Sequence, residues 1–151
     1  MTRLAHHARL EWDGSTASGY RVYSRNHSAT APPAEASLRL SADPHFKGDS
    51  ALLNPEQLVV LAASSCQMLS FLALAARKHV NVLGYTDEAT GYLSEDLRKA
   101  SIELIELRPV IRVAEGTDEA FVRTLVEQGH DECYIANSLN STITIEASIV
   151  I

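Results

Sequence analysis

Two side chains in this sequence could carry out covalent redox chemistry, Cys66 and Cys133, and they are the only cysteines among 151 residues. A single buried cysteine is usually an inert small hydrophobe. These two stand in the segments with the most distinctive local patterns. One reads Asn54-Pro55-Glu56-Gln57-Leu58 and runs on without Gly or Pro to Ala63-Ser64-Ser65-Cys66; the other is Gly129-His130-Asp131-Glu132-Cys133-Tyr134-Ile135-Ala136-Asn137-Ser138. Thiol redox chemistry is therefore the leading expectation. A thiolate that loses two electrons to an oxidant becomes a sulfenic acid. A second thiol then condenses with the sulfenic acid, expelling water and closing a disulfide.

Other chemistries fit these residues less well. Four histidines lie near the motifs (His27, His45, His79 and His130), yet only His130-x-x-Cys133 has the local spacing of a zinc-ligand pair. No metal and no cofactor is expected. Ser64-Ser65 sits inside a helical pattern without a Gly-x-Ser-x-Gly elbow, which argues against a serine hydrolase. The net charge is −6, with Lys and Arg dispersed, so nucleic acid is not an expected partner. The N-terminal residues lack the apolar run of a signal peptide, and no stretch reads as approaching the ~20 apolar residues of a membrane span. A cytoplasmic protein without a membrane partner is expected, and in that reducing compartment a cysteine pair is more often catalytic or metal-binding than a permanent staple.

The elements that must position the thiols follow from periodicity and punctuation. A single domain over residues 1–151 is expected, large enough to bury a core without a disulfide. Residues 5–12 and 19–26 alternate as two strands of a hairpin, and 36–42 as a third after the Ala31-Pro32-Pro33-Ala34 breaker. Asn54 as cap, Pro55 at the first helical position and Gln57 reaching back start a helix of about 25 residues that ends near His79. Its faces are apolar nearly all round, so it must be covered on most sides, as the core of the protein or of a dimer. Residues 84–93 and 101–113 read as two longer strands, the second with Pro109 suggesting an edge or a bulge. Thr117 caps a second helix that Gly129 interrupts, a short helix follows near Cys133, and 142–151 is a closing strand. The order is α+β, an antiparallel sheet with the long helix packed on it. Two chains wrapped together would cover that helix.

The two cysteine segments and this element order resemble the OsmC/Ohr family of osmotically inducible and organic hydroperoxide resistance proteins. The likeness lies in Asn54-Pro55-Glu56-Gln57-Leu58 with Cys66 ten residues after the Glu, and in His130-Asp131-Glu132-Cys133 through Ser138. Tyr23-Ser24-Arg25-Asn26-His27 and Phe46-Lys47-Gly48-Asp49 also look like a subgroup of that family. The resemblance implies an OsmC-like fold, an intertwined homodimer, and reduction of organic hydroperoxides by a reactive and a resolving cysteine, Cys66 and Cys133. It further implies a dithiol reductant such as dihydrolipoamide on a carrier protein. One departure is Gln67, where many relatives of the subgroup carry His after the first cysteine. The competing expectation is a dimeric binding protein of the same fold, holding a small hydrophobic ligand and making no use of the thiols.

Cys66 falls twelve residues into its helix, beyond the reach of the N-terminal dipole, so a side-chain cation must lower its pKa. Arg25 is the first choice, at the end of the expected second strand; Arg21 is the alternative and Lys47 a distant third. Glu56 looks like the carboxylate that holds this arginine. Glu56 and Cys66 are ten residues apart on one helix, about 15 Å. If both serve one site, Glu56 and its arginine come from the partner subunit. The residues flanking Cys66 (Ala62, Ala63, Met68, Leu69 and Phe71) would give an alkyl peroxide an apolar approach.

Overall fold

The computed structural model describes residues 3–151. The chain forms two compact units, Met1–Leu58 and Val59–Ile151.

In the first unit, β1 (Arg9–Glu11), β2 (His27–Thr30) and β3 (Ser37–Leu40) pair antiparallel in that order, with Leu10 opposite Ala29 and Ala29 opposite Leu38. The expected strand at 19–26 is corrected to a turn. Gly19 adopts a left-handed φ of 95°, its carbonyl accepts the N–H groups of Val22 and Tyr23, and the Trp12 indole donates to the Ser24 carbonyl at 2.8 Å. Alternation alone misled there, because Tyr20 and Val22 point to solvent. Gly48 has a stricter role: a Cβ at that position would stand 1.6 Å from the Ala42 carbonyl oxygen, so only glycine lets these backbones meet.

The long helix α1 (Pro55–Arg77) starts as its residues dictate. The Gln57 N–H donates to Asn54 Oδ1 at 2.9 Å, and Gln57 Oε1 accepts the Asn54 N–H at 3.0 Å, a reciprocal capping box.

In the second unit the three expected long strands each break once. They become β4 (Val82–Asp87) and β5 (Thr90–Leu93), β6 (Ile102–Leu107) and β7 (Pro109–Val113), and β8 (Thr142–Ile145) and β9 (Ser148–Val150). At the break the side chain of Asp87 takes the Arg108 N–H at 2.7 Å, diverting a ladder donor, and the Glu146 N–H reaches the Leu107 carbonyl at 2.9 Å. Two three-stranded sheets result, β4-β7-β9 and β5-β6-β8. The pairs β4–β7 and β5–β6 are antiparallel, as expected, but β7–β9 and β6–β8 are parallel. Parallel pairing follows from the helical crossover between β7 and β8.

That crossover consists of α2 (Glu119–Asp131) and α3 (Tyr134–Ser138). Asp118 caps α2 rather than Thr117, its carboxylate accepting the N–H groups of Ala120 and Phe121. Gly129 does not interrupt the helix; it is buried within it.

Two apolar clusters fill this unit. One joins Phe71, Leu74 and Ala75 of α1 to Ile111 and Val113 of β7 and to Val122, Leu125 and Val126 of α2. The other joins Ala63 of α1 to Ile105 and Leu107 of β6, with Ile135 and Leu139 packed on it. α1 has a window of mean hydropathy 2.0 and by length and composition could cross a membrane, which corrects the expectation that no stretch would. Its inward residues nonetheless belong to a protein core, whereas Leu61 and Leu69 stand 54% and 60% exposed on another face.

Candidate functional site

Cys66 and Cys133 lie together at the junction of the two clusters. Along α1, Cys66 falls between Ala63 of one cluster and Phe71 of the other; Cys133 falls in the short link between α2, which serves the first, and α3, which serves the second. The two are free thiols, near enough for Cys66 to shift the ionisation of Cys133 but not at disulfide distance.

Their surroundings differ. Cys66 is half-buried, whereas Cys133 is 1% exposed. Burial pushes the Cys133 thiol above its ordinary pKa, and the neighbouring Cys66 pushes it further the same way. Cys133 is also the N-cap of α3, its sulfur accepting the Ala136 N–H at 3.4 Å. This pairs a more accessible thiol with a buried one held as the neutral acid, and such a pair can pass between dithiol and disulfide.

The contact between α1 and α2 sets this meeting. Gln67 is 1% exposed and its Nε2 donates to the Val126 carbonyl at 3.0 Å. A Cβ on Gly129 would come within 3.1 Å of the Phe71 backbone nitrogen, so glycine lets α2 lie directly on α1 beside the cysteine. Sequence reasoning missed Gly129 as part of the site and noted Gln67 only as a departure from the family pattern beside Cys66. A signal for Gln67 was present: it is the polar member of the inward i, i+4 stripe Ala63, Gln67, Phe71, Ala75.

The other expected site residues belong to the first unit. Arg25 precedes β2 instead of ending a strand. Its guanidinium lies 3.8 Å from the centroid of the Tyr23 ring and 4.8 Å from that of Tyr20, and it donates to the carbonyls of both residues. Arg21 and Lys47 are exposed. Glu56 occupies the first turn of α1. Among the described residues neither Arg25 nor Glu56 enters an ion pair. Of the residues expected to line an apolar approach, Ala63 and Phe71 are core residues at 2% and 0% exposure and cannot do so, which leaves Ala62, Met68 and Leu69. Among the described residues no group of three or more His, Cys, Asp or Glu side chains could hold a metal ion.

Residues 47–148, which contain both cysteines and the helix between the two clusters, match the model of the family described as OsmC-like protein. The chain belongs to the OsmC-like family. Solved OsmC-like structures share its fold. An OsmC-like protein of unknown function from Vibrio cholerae superposes with a TM-score of 0.87 at 28% identity, covering 97% of this chain and 100% of that one. An organic hydroperoxide resistance protein OsmC from Legionella pneumophila gives 0.70 at 14% identity over 100% of both chains. The organic hydroperoxide resistance protein OhrB of Bacillus subtilis gives 0.63 at 14%, covering 97% of this chain and 98% of that one. No curated protein matches the sequence. The expected resemblance and the expected α+β class with a long helix are thus borne out.

Proposed function

We propose that this OsmC-like chain is a thiol-dependent peroxidase that reduces organic hydroperoxides to alcohols. The observation that carries this reading is the approach of Cys66, on α1, to Cys133, in the short link between α2 and α3. Cys66, the more accessible thiol, attacks the terminal peroxide oxygen as the thiolate; the O–O bond breaks and the alcohol leaves with a proton. Cys133 then attacks the sulfenic sulfur, a water leaves, and the disulfide closes. An external dithiol, such as a dihydrolipoyl group on a carrier protein in the cytoplasm, restores both thiols by exchange and is itself left as the disulfide.

In this reading Arg25 and Glu56 both come to the Cys66 thiolate from the partner subunit of a homodimer, Arg25 stabilising the thiolate and Glu56 orienting the arginine, with Arg21 as the alternative cation. The outward face of α1 with Leu61 and Leu69 supports such a dimer, since an apolar helix face left in water costs stability.

The test is a thiol count before and after one equivalent of cumene hydroperoxide. Loss of two thiols per chain, with one equivalent of alcohol released, supports the peroxidase. Retention of both thiols favours a ligand-binding protein of the same fold. A second-order rate with hydrogen peroxide equal to that with cumene hydroperoxide would remove the preference for organic substrates while leaving the thiol mechanism intact.

A further inference from the structure

Resting on the peroxidase reading, we infer that Gln67 is a positioning residue for disulfide closure: its tie to Val126, beside the close approach at Gly129, sets how readily Cys133 reaches Cys66. Gln67 adjoins Cys66 in α1, and its amide crosses to a carbonyl of α2, the helix whose end delivers Cys133. A Cβ on Gly129 would also sit 3.4 Å from Gln67 Nε2, so the tie and the glycine contact form one junction. From there the chain has one turn to run: the Glu132 N–H closes on the Gln128 carbonyl and the Cys133 N–H on the His130 carbonyl at 3.2 Å. The axial and rotational setting of α2 at Gln67 is therefore carried directly to the Cys133 sulfur.

The composition of the junction supports a role beyond packing. Among the described residues Gln67 Oε1 is buried without a hydrogen-bond partner, a cost that a methionine of similar shape would avoid. What Gln67 supplies and methionine lacks is the directed N–H to Val126. The step it governs is the attack of the Cys133 thiol on oxidised Cys66, in which the S–S bond forms and water, or glutathione in an exchange assay, departs.

The experiment equilibrates the full-length chain and Gln67→Met with reduced and oxidised glutathione and measures the fraction of intramolecular disulfide by alkylation and mass. This readout needs no peroxide, so it is separable from the peroxidase reading. The disulfide of Gln67→Met should be about tenfold less favoured, about 30 mV in potential, because without the tie α2 is less restrained in the dithiol state and closure must then order it. In single-turnover mixing with cumene hydroperoxide, the ratio of disulfide closure to sulfenic acid formation should fall likewise. If Gln67→Met does not fold, Gly129→Ala disturbs the same junction from α2 and should shift the glutathione equilibrium in the same direction. An equilibrium within twofold of the parent in the folded variant overturns the inference, as does a parent chain that forms no disulfide with either oxidant. A parent that forms the disulfide with glutathione but not with hydroperoxide overturns the peroxidase reading and leaves the role of Gln67 to be judged on the glutathione result.

Discussion

The sulfur of Cys133 accepts the backbone N–H of Ala136 at 3.4 Å, so one of the two meeting thiols is also the cap of α3. A serine hydroxyl is a stronger cap than a thiol, and alanine offers none. Cys133→Ser should therefore retain or slightly raise the melting temperature, while Cys133→Ala should be less stable than Cys133→Ser by about 1 kcal/mol. Parallel denaturant titrations of the two variants check this.

The division of labour between the thiols gives a second expectation. Cys66→Ser should abolish peroxide turnover. Cys133→Ser should consume one equivalent of hydroperoxide and stop at a sulfenic acid that a dimedone-type reagent traps. Trapping on Cys133 in the Cys66→Ser chain, with an inert Cys133→Ser chain, would reverse the roles.

Stability should depend on pH through Cys133. Its thiol is held above the ordinary range by burial first and by Cys66 second. The unfolded chain ionises this group near pH 8.5 while the native chain still binds the proton, so stability is full below that pH and falls as pH rises toward the native pKa. Tyr85, also raised by burial and then by Asp87, adds a similar loss starting near pH 10. Urea midpoints between pH 7.5 and 10 should drop more steeply for the parent than for Cys133→Ser, because both share Tyr85 and only the parent carries the thiol. Equal slopes would contradict the shift.

If each site draws on both subunits, a Cys66→Ser chain and a Glu56→Ala chain should complement each other. Unfolded and refolded together, they form heterodimers in which one site carries both lesions and the other neither. The mixture should recover activity that neither parent has. Activity at the mean of the parents, with heterodimers confirmed by mass, would confine Glu56 to its place in the first turn of α1.

Local chemistry made the start of α1 fully legible. Asn54, Pro55 and Gln57 act on their own neighbours, and their hydrogen bonds are those the residue types demand. The pairing of the cysteines was legible only as an expectation, since residues so far apart in sequence meet through packing that no local pattern encodes. Gly129 shows the limit well. Read locally it is a helix breaker; in the fold it is the position where α2 rests on Phe71 and Gln67, a requirement set by the other helix. Of the strand breaks only the one at Pro109 had a local signal, and its cause was hidden for a similar reason. The apolar alternation of Ile102–Val113 runs through Arg108, and what ends the ladder there is the side chain of Asp87 on a different strand. Arg25 lies between these extremes: Tyr20 and Tyr23 were visible beside it, but alternation suggested a strand where the chain makes a turn.

The parallel strands carry a consequence for how the molecule comes together. β8 completes one sheet beside β6 and β9 completes the other beside β7, with partners such as Leu104 and Thr142, or Val110 and Ser148, about 40 positions apart. Both cores thus wait, with one side open, for the same short run of residues 142–150, and that run can dock only after the crossover bearing Cys133 has been laid down. The long loop must close before any of these contacts repays it. Assembly of the two thiols and closure of the two sheets are in this way late events of one process, and a nascent chain with Cys66 already made has no partner thiol until both helices of the crossover exist.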